Sequence, residues 1–508
     1  MNPERFYILE KLKEIFSLYP YNIAFFIKGK SYSYREFQNR ITTISKFIDT
    51  DISNQEKYIG ILSQDSLDAY ASIVAIWISG KAFVPLNPLN PAQRNSDIIN
   101  QMGLKHIFYA DHHMGLENEA LKLLTDTTGL KEFKSEIPTN SVSWESDAYV
   151  LFTSGSTGHP KGVRINRRNL DTFYKSYTSF GPEYTQTDRF LQMYDISFDG
   201  SVPCYLVALC AGASVYTVPQ DEIKYLYALK LIRDNELTVI KMTPSTLSFL
   251  RSYFDRIHLP SVRCCIFGGE ALPLSITEEW TRCVPNALIQ NAYGPTEATI
   301  DALMYNFNSD PAQRKSDRGV VSLGKSFGDF KYAVINAKGN QVEGSEEGEL
   351  CLNGNQLMTS YWNDEKKTNN SFINLNSDSG TLKYYRTGDL VSVDSDGYFM
   401  YHGRIDNQVQ IQGYRVELGE IENQVQELLD NRTLAAIAIK NTQGVQNIFL
   451  FIGGEELPQE PLFLHLNEVL PFYMIPSKII FLSELPIQVS GKTDRRKLAE
   501  IASLYENN

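Results

Sequence analysis

Residues Leu151 to Val163, LFTSGSTGHPKGV, decide how this chain is read. They continue an apolar run, Tyr149-Val150-Leu151-Phe152, that then breaks into Ser, Thr and Gly and closes on Pro160-Lys161-Gly162. A strand that ends in such a loop suits the grip of an anion: hydroxyls and exposed backbone N–H groups surround phosphate oxygens, and a lysine adds positive charge. The spacing excludes a P-loop NTPase, which needs Gly, four residues, then Gly-Lys-Ser/Thr on the turn into a helix. Counting from Gly155, the second Gly position holds Pro160.

At 508 residues the chain is too long for one ordinary core, so two or more domains are expected. The opening MNPERFYILEKLKEIF carries apolar residues at helical spacing (Ile8, Leu9, Leu12, Ile15, Phe16) between charges, so it lacks the apolar core of a signal peptide. No uncharged run reaches membrane-spanning length, and no membrane partner is expected. A net charge of -12 and a pI near 5.3 argue against nucleic acid as the partner, because such binding relies on a basic footprint. Six cysteines, Cys204, Cys210, Cys264, Cys265, Cys283 and Cys351, form no CxxC and sit in apolar strings, which predicts buried free thiols in a reducing cytoplasm. His112-His113 lacks companions at ligand spacing and reads as a polar loop rather than a metal site.

Through the first four hundred positions β-branched runs alternate with amphipathic stretches, which predicts α/β layering. Examples are Ile59-Gly60-Ile61-Leu62 before a helix over 68–79, and Leu237-Thr238-Val239-Ile240 before one over 245–254. After about Gly348, short strands joined by Asp-Gly and Asn-Gly turns predict a β-rich section. The last hundred residues change again: a helix carrying Leu418, Ile421, Val425, Leu428 and Leu429, strands over 434–439 and 448–452, then helix and strand. The expected division is a large N-terminal α/β domain over 1–405 and a small mobile α+β domain over 406–508, meeting near Gly403-Arg404-Ile405-Asp406.

Four further strings bear chemistry: Asn291-Ala292-Tyr293-Gly294-Pro295-Thr296-Glu297, Tyr385-Arg386-Thr387-Gly388-Asp389, Gly403-Arg404-Ile405-Asp406 and Ser490-Gly491-Lys492-Thr493-Asp494. Each alone is ordinary, since Gly-Pro and Thr-Gly-Asp turns occur widely. Together with the 151–163 loop, in this order and at these separations, they resemble the adenylate-forming ligases: acyl-CoA synthetases, firefly-type luciferases and the adenylation domains of nonribosomal peptide synthetases. The resemblance runs from Lys30-Ser31-Tyr32-Ser33-Tyr34-Arg35-Glu36-Phe37 to Asp494-Arg495-Arg496-Lys497-Leu498.

The resemblance implies a phosphate loop of Thr153, Ser154, Gly155, Ser156, Thr157 and Lys161 that holds the β- and γ-phosphates of ATP. It implies that Tyr293, flanked by Ala292 and Gly294, stacks on adenine, that Asn291 bonds its amino edge, and that Thr296 contacts the α-phosphate. Glu297 is implied as the magnesium ligand, a role that suits a hard cation taking few protein oxygens. Asp389 would accept from the ribose hydroxyls with Arg404 assisting, and Lys492 would bridge substrate carboxylate and α-phosphate. Catalysis is thus implied for Lys492, Thr296 and Glu297, by charge stabilisation rather than covalent chemistry. In the family a small C-terminal domain turns about a hinge for a thioester-forming step, and Asp406 matches the hinge. Gly413-Tyr414-Arg415 matches the segment that then enters the site. The pattern departs from the family at Gln410 and Gln412, where basic residues are usual.

Phe198-Asp199-Gly200-Ser201-Val202 is similar to the element of amino-acid-activating members whose aspartate pairs with the substrate ammonium. Matching the remaining motifs implies a side-chain slot lined by Gly200, Pro203, Lys241, Ile266, Gly268, Ala292, Ile300 and Asp301, with Lys492 at the carboxylate. Lys241 and Asp301 are unusual walls, since buried charge is costly unless paired. Either they pair and shape a small pocket, or one of them reads a polar or charged side chain; a small or polar amino acid is expected. About ten residues follow the motif ending at Leu498, so a stand-alone ligase is expected. Its acceptor would be the phosphopantetheine thiol of a separate carrier protein, as in D-alanine:carrier-protein ligases. The alternatives are an acyl-CoA synthetase and, in another class, a catalytically silent scaffold.

Overall fold

The computed structural model describes residues 6–62, 65–110, 124–134, 143–155, 159–377, 380–429, 432–441, 443–488 and 493–506. Ser156, Thr157, Lys492 and the His112-His113 pair lie outside the described residues. The chain forms two compact units, one of Met1–Asn87, Met102–Leu151 and Gly162–Ile405, the other of Pro88–Gln101, Phe152–Lys161 and Asp406–Asn508. A boundary thus falls between Ile405 and Asp406, and two internal segments, one of them the phosphate loop, group with the C-terminal residues.

In the first unit a nine-stranded sheet carries six parallel strands, in the spatial order Leu288–Tyr293, Cys264–Gly268, Val239–Met242, Arg189–Gln192, Ser214–Thr217 and Ile23–Ile27, with antiparallel strands at both edges. A seven-stranded sheet is parallel through Tyr58–Leu62, Ala82–Leu86, Ile107–Tyr109, Leu124–Asp126 and Asp147–Thr153. Parallel strands need crossovers, and the helices that make them cover the sheet faces. Two of these helices, Leu67–Ile78 and Ser201–Ala211, are buried on nearly every side because both sheets contribute to the core around them. Tyr70 stacks on Phe25 at 4.7 Å and meets Tyr205 edge-on at 5.5 Å. The N-terminal helix, Tyr7–Leu18, buries the stripe Ile8, Leu9, Leu12, Ile15 and Phe16. Asp171 accepts from the N–H groups of Tyr7 (2.7 Å) and Ile8 (3.0 Å), satisfying donors that a helix start leaves unpaired.

The β-rich section is a six-stranded antiparallel sheet, and it begins at Lys331, ahead of the Gly348 start that composition indicates. Strand Lys331–Ile335 opens on exposed Lys331 and Tyr332 and buries only Ala333, Val334 and Ile335, and its pairing with Gly348–Asn353 makes it a strand. The helix expected over 245–254 is shorter, Pro244–Leu250, and tightens into a 3-10 turn over Arg251–Arg256.

The second unit builds a three-stranded sheet of Leu434–Lys440, Gln446–Gly453 and Lys478–Leu482. Its core is Ala435, Ile437, Phe449, Phe451, Ile480, Leu485, Leu498 and Ala502. Before it comes the hairpin Gln408–Ile411 and Tyr414–Glu417. Its two turn residues, Gln412 (φ 52°) and Gly413 (φ 83°), both sit at positive φ, the geometry whose twist matches the strands it joins.

Candidate functional site

In open parallel sheets ligands bind beyond the carboxyl ends of the strands. Four neighbouring strands of the nine-stranded sheet deliver predicted site residues to such ends. Lys241 comes from Val239–Met242, Gly268 closes Cys264–Gly268, and Ala292 and Tyr293 close Leu288–Tyr293. Beyond Arg189–Gln192 the chain turns at Asp195, which accepts from Ser197 N at 2.8 Å, and so presents Asp199 just before helix Ser201–Ala211.

Asp199 keeps part of its surface open while protein packs around the rest. Burial pushes its carboxyl up to about 6, and a hydrogen bond from Thr296 opposes the shift; nearby Asp301 adds to it and Lys241 opposes it. The structure therefore gathers four predicted residues, Asp199, Thr296, Lys241 and Asp301, into one charged cluster. Lys241 Nζ donates to Asp301 Oδ2 at 2.6 Å, with both side chains about 5% exposed. Pro203 lies in the first turn of the helix after Gly200, and Ile266 is cross-strand to Lys241.

The turn after Tyr293 is shaped by Gly294, where a Cβ would lie 2.3 Å from the carbonyl oxygen of Ile300. Thr299 (φ 56°) and Ile300 (φ 79°) follow in conformations rare for β-branched residues. Gln356 holds this turn: its carbonyl accepts from Thr299 Oγ1, and its Nε2 donates to the carbonyl of Asp301 at 3.2 Å. Glu297 is fully buried, and its Oε1 accepts from Tyr361 Oη at 2.7 Å.

On the same unit, Asp389 and Arg404 are cross-strand partners, so the register itself brings them together. Arg404 Nη1 donates to Asp389 Oδ1 at 2.8 Å, and Tyr293 Oη donates to Oδ2 at 2.5 Å. Burial, then the charge of Asp389, raises the Tyr293 phenol well above its usual value, so the hydroxyl stays a donor. Asn291 spends its Nδ2 on the carbonyls of Ser322 (2.9 Å) and Val321 (3.4 Å). This leaves Oδ1, the acceptor that an amino group needs.

The phosphate loop leaves strand Asp147–Thr153. Thr153 Oγ1 and Tyr149 Oη, two positions that share a strand face, are buried with no hydrogen-bond partner among the described residues. Asp199 is one of the charges acting on Tyr149. Within the second unit, Ser154 Oγ donates to the carbonyl of Arg415 (2.7 Å) and accepts from Glu417 N (3.2 Å). Glu420 is buried: Oε2 accepts from Gly155 N (3.0 Å) and Oε1 from Arg94 Nη1 (2.6 Å). Lys161 begins the next strand, Lys161–Asn166, and Asp406 Oδ1 accepts from Gln408 N at 3.1 Å.

Sequence reasoning missed Tyr149, Gln356, Tyr361 and Arg94. Among the described residues no cluster of three or more His, Cys, Asp or Glu could hold a metal. The donor set fits magnesium in one form, with Glu297 as the single protein carboxylate and phosphate and water as the other ligands. The six cysteines are free and buried. Among the described residues no helix is long and apolar enough to cross a membrane.

The family model described as AMP-binding enzyme matches residues 13–362. Tyrocidine synthase 3 of Brevibacillus parabrevis is 30% identical over 495 residues, 95% of this chain and 7% of that protein. Gramicidin S synthase 1 of Brevibacillus brevis is 29% identical over 506 residues, 97% of this chain and 44% of that one. The chain thus spans less than half the length of both relatives. The fold is shared with the Vibrio cholerae adenylation domain AlmE, solved in complex with glycyl-adenosine-5'-phosphate, at a TM-score of 0.84, 23% identity and 98% coverage of each chain.

Proposed function

The chain belongs to the AMP-binding enzymes, on the amino-acid adenylation branch of the adenylate-forming superfamily, and from that premise we propose that it joins ATP and an amino acid into an aminoacyl adenylate, releasing pyrophosphate. It then passes the aminoacyl group to the phosphopantetheine thiol of a carrier protein. The observation that carries the reading is the cluster at Asp199. Two carboxylates and one lysine leave a negative charge unmatched at the strand ends, and burial has already made that charge costly. A substrate ammonium group supplies the missing counter-charge, as neither a fatty nor an aryl acid can.

The substrate carboxylate attacks the α-phosphorus of ATP, and both partners are anionic. The protein's work is therefore positioning and charge stabilisation. Asp199 seats the ammonium, and Thr296, beside its carboxyl, would contact the α-phosphate. Tyr293, held by its bond to Asp389, offers a ring face to adenine, while Asp389 and Arg404 receive the ribose. The Thr153 hydroxyl, without a hydrogen-bond partner among the described residues, and the loop carrying Ser154, Gly155, Ser156, Thr157 and Lys161 would take the departing phosphates. Glu297 would hold magnesium, which supplies positive charge to the phosphate oxygens. Lys492 would bridge carboxylate and α-phosphate. Residues 406–508 would act as the lid, turning about Asp406 to exchange the lysine for the thiol. The buried free cysteines suit a cytoplasmic enzyme.

The test is ATP–pyrophosphate exchange across enantiopure amino acids, including alanine of both hands, followed by mass analysis of a phosphopantetheinylated carrier. Amino-acid-dependent exchange and an aminoacyl mass gain on the carrier are expected. Exchange driven by fatty or aryl acids but by no amino acid would refute the reading.

A further inference from the structure

The Lys241–Asp301 pair does more than neutralise itself. A lysine ammonium has three donors, and among the described residues Lys241 spends one on a hydrogen bond, to Asp301 Oδ2 at 2.6 Å. The Tyr177 ring, 5.8 Å from Nζ, gives the ammonium a weak aromatic contact. A carboxylate likewise accepts more than one bond. Spare donors and spare acceptors therefore lie side by side at two positions about 5% exposed, where unmet polar capacity is costly.

The surroundings favour a short ligand group at this place. A Cβ on Gly268 would sit 3.0 Å from the carbonyl oxygen of Ala292 and 3.8 Å from Lys241 Cε, so even one added carbon would crowd the wall beside the lysine. A Cβ on Gly200, next to Asp199, would meet the Tyr194 ring at 3.5 Å. Asp301 is aimed at Lys241 by the strained pair Thr299 and Ile300, and backbone strain of this kind collects at ligand sites. A pair that only filled space would not need it.

Charge decides the chemical class. Asp199, Asp301 and Lys241 together carry one net negative charge, and the substrate ammonium cancels it. A charged side chain would unbalance the cluster, and an apolar one would leave the spare donors and acceptors unmet. We propose that Lys241 and Asp301 select an amino acid whose short, uncharged side chain both accepts and donates a hydrogen bond, with the carboxamide of asparagine the best match. Its oxygen would face Lys241 and its NH₂ would face Asp301, one atom for each charge. The inference rests on Asp199 as the seat of the ammonium.

The experiment compares kcat/KM in ATP–pyrophosphate exchange for asparagine, glutamine, serine, threonine, glycine, alanine, aspartate, lysine and leucine with the full-length enzyme. Asparagine or another member of the first four should exceed leucine and aspartate by at least about 100-fold, since a site built to bond a polar group strongly rejects analogues lacking it. The highest value for glycine or alanine would show that the pair merely shortens the slot, and a charged or apolar winner would likewise overturn the proposal. Silence with all nine alongside exchange driven by some other amino acid would overturn the proposal alone, whereas silence across every enantiopure amino acid would refute the adenylation reading itself. The double variant K241M/D301L removes both charges together, which avoids an unpaired buried ion. It should shift the ratio of leucine to asparagine upward by about 100-fold; an unchanged ratio would overturn the assignment, and if the variant does not fold, the wild-type panel still decides.

Discussion

Asp199→Asn should weaken the enzyme's hold on its amino acid and stabilise the empty protein at the same time. The Asp199 carboxyl stands at about 6 against an ordinary 3.8, chiefly because burial disfavours its charge. The folded protein therefore binds this proton more tightly than the unfolded chain. The stability that the protonated group lends is complete below about pH 4 and is lost as pH rises through about 6. A shift of roughly two units at about 1.4 kcal/mol each sets an upper bound near 3 kcal/mol, and the partial exposure of the group brings the expected gain at pH 8 to about 1–2 kcal/mol. Asparagine keeps the shape and removes the charge. Urea denaturation should show that gain at pH 8 and little or none below pH 4. In exchange assays, loss of the counter-charge to the substrate ammonium should raise the amino-acid KM by roughly 30-fold or more, the low end of about 2–5 kcal/mol for truncating a buried charge pair. The KM for ATP should stay within about twofold. Lower stability at pH 8 with an unchanged amino-acid KM would refute the account of this residue.

Asp389→Ala releases both Tyr293 and Arg404, so the KM for ATP should rise about 10- to 100-fold in exchange assays while the amino-acid KM holds. Glu420→Ala strands the buried Arg94 without its carboxylate and should cost about 3–5 kcal/mol in chemical denaturation, with Glu420→Gln milder. Asp406→Pro stiffens the hinge position, so carrier loading should stall while pyrophosphate exchange persists; equal loss of both would remove Asp406 from that role.

The layered α/β reading was legible because β-branched runs and amphipathic stretches alternate so plainly, and helix Tyr7–Leu18 buries the very stripe its spacing marks. Strand Lys331–Ile335 was not, because its apolar run is only three residues long, Ala333 to Ile335, and pairing makes it a strand. The sequence left Lys241 and Asp301 with two fates, pairing or reading the substrate. They lie 60 positions apart, and their contact depends on two strand ends and a strained turn that no local pattern announces. Tyr361 on Glu297 and Gln356 under Thr299 were invisible for the same reason: their residue types are commonplace, and the fold supplies the meeting. Arg94 and Glu420, 326 positions apart, are the extreme case. Thr153 and Tyr149 became notable once burial showed their hydroxyls without partners among the described residues.

On the proposed function this chain activates an amino acid at the expense of ATP, and Lys492 carries the charge that lets two anions meet. The decisive comparison is amino-acid-dependent ATP–pyrophosphate exchange by the wild-type protein and by Lys492→Ala. Clear exchange is expected in the wild type and a fall of about 10²–10³-fold or more in the variant, with the fold intact. Near-normal exchange by Lys492→Ala would contradict it.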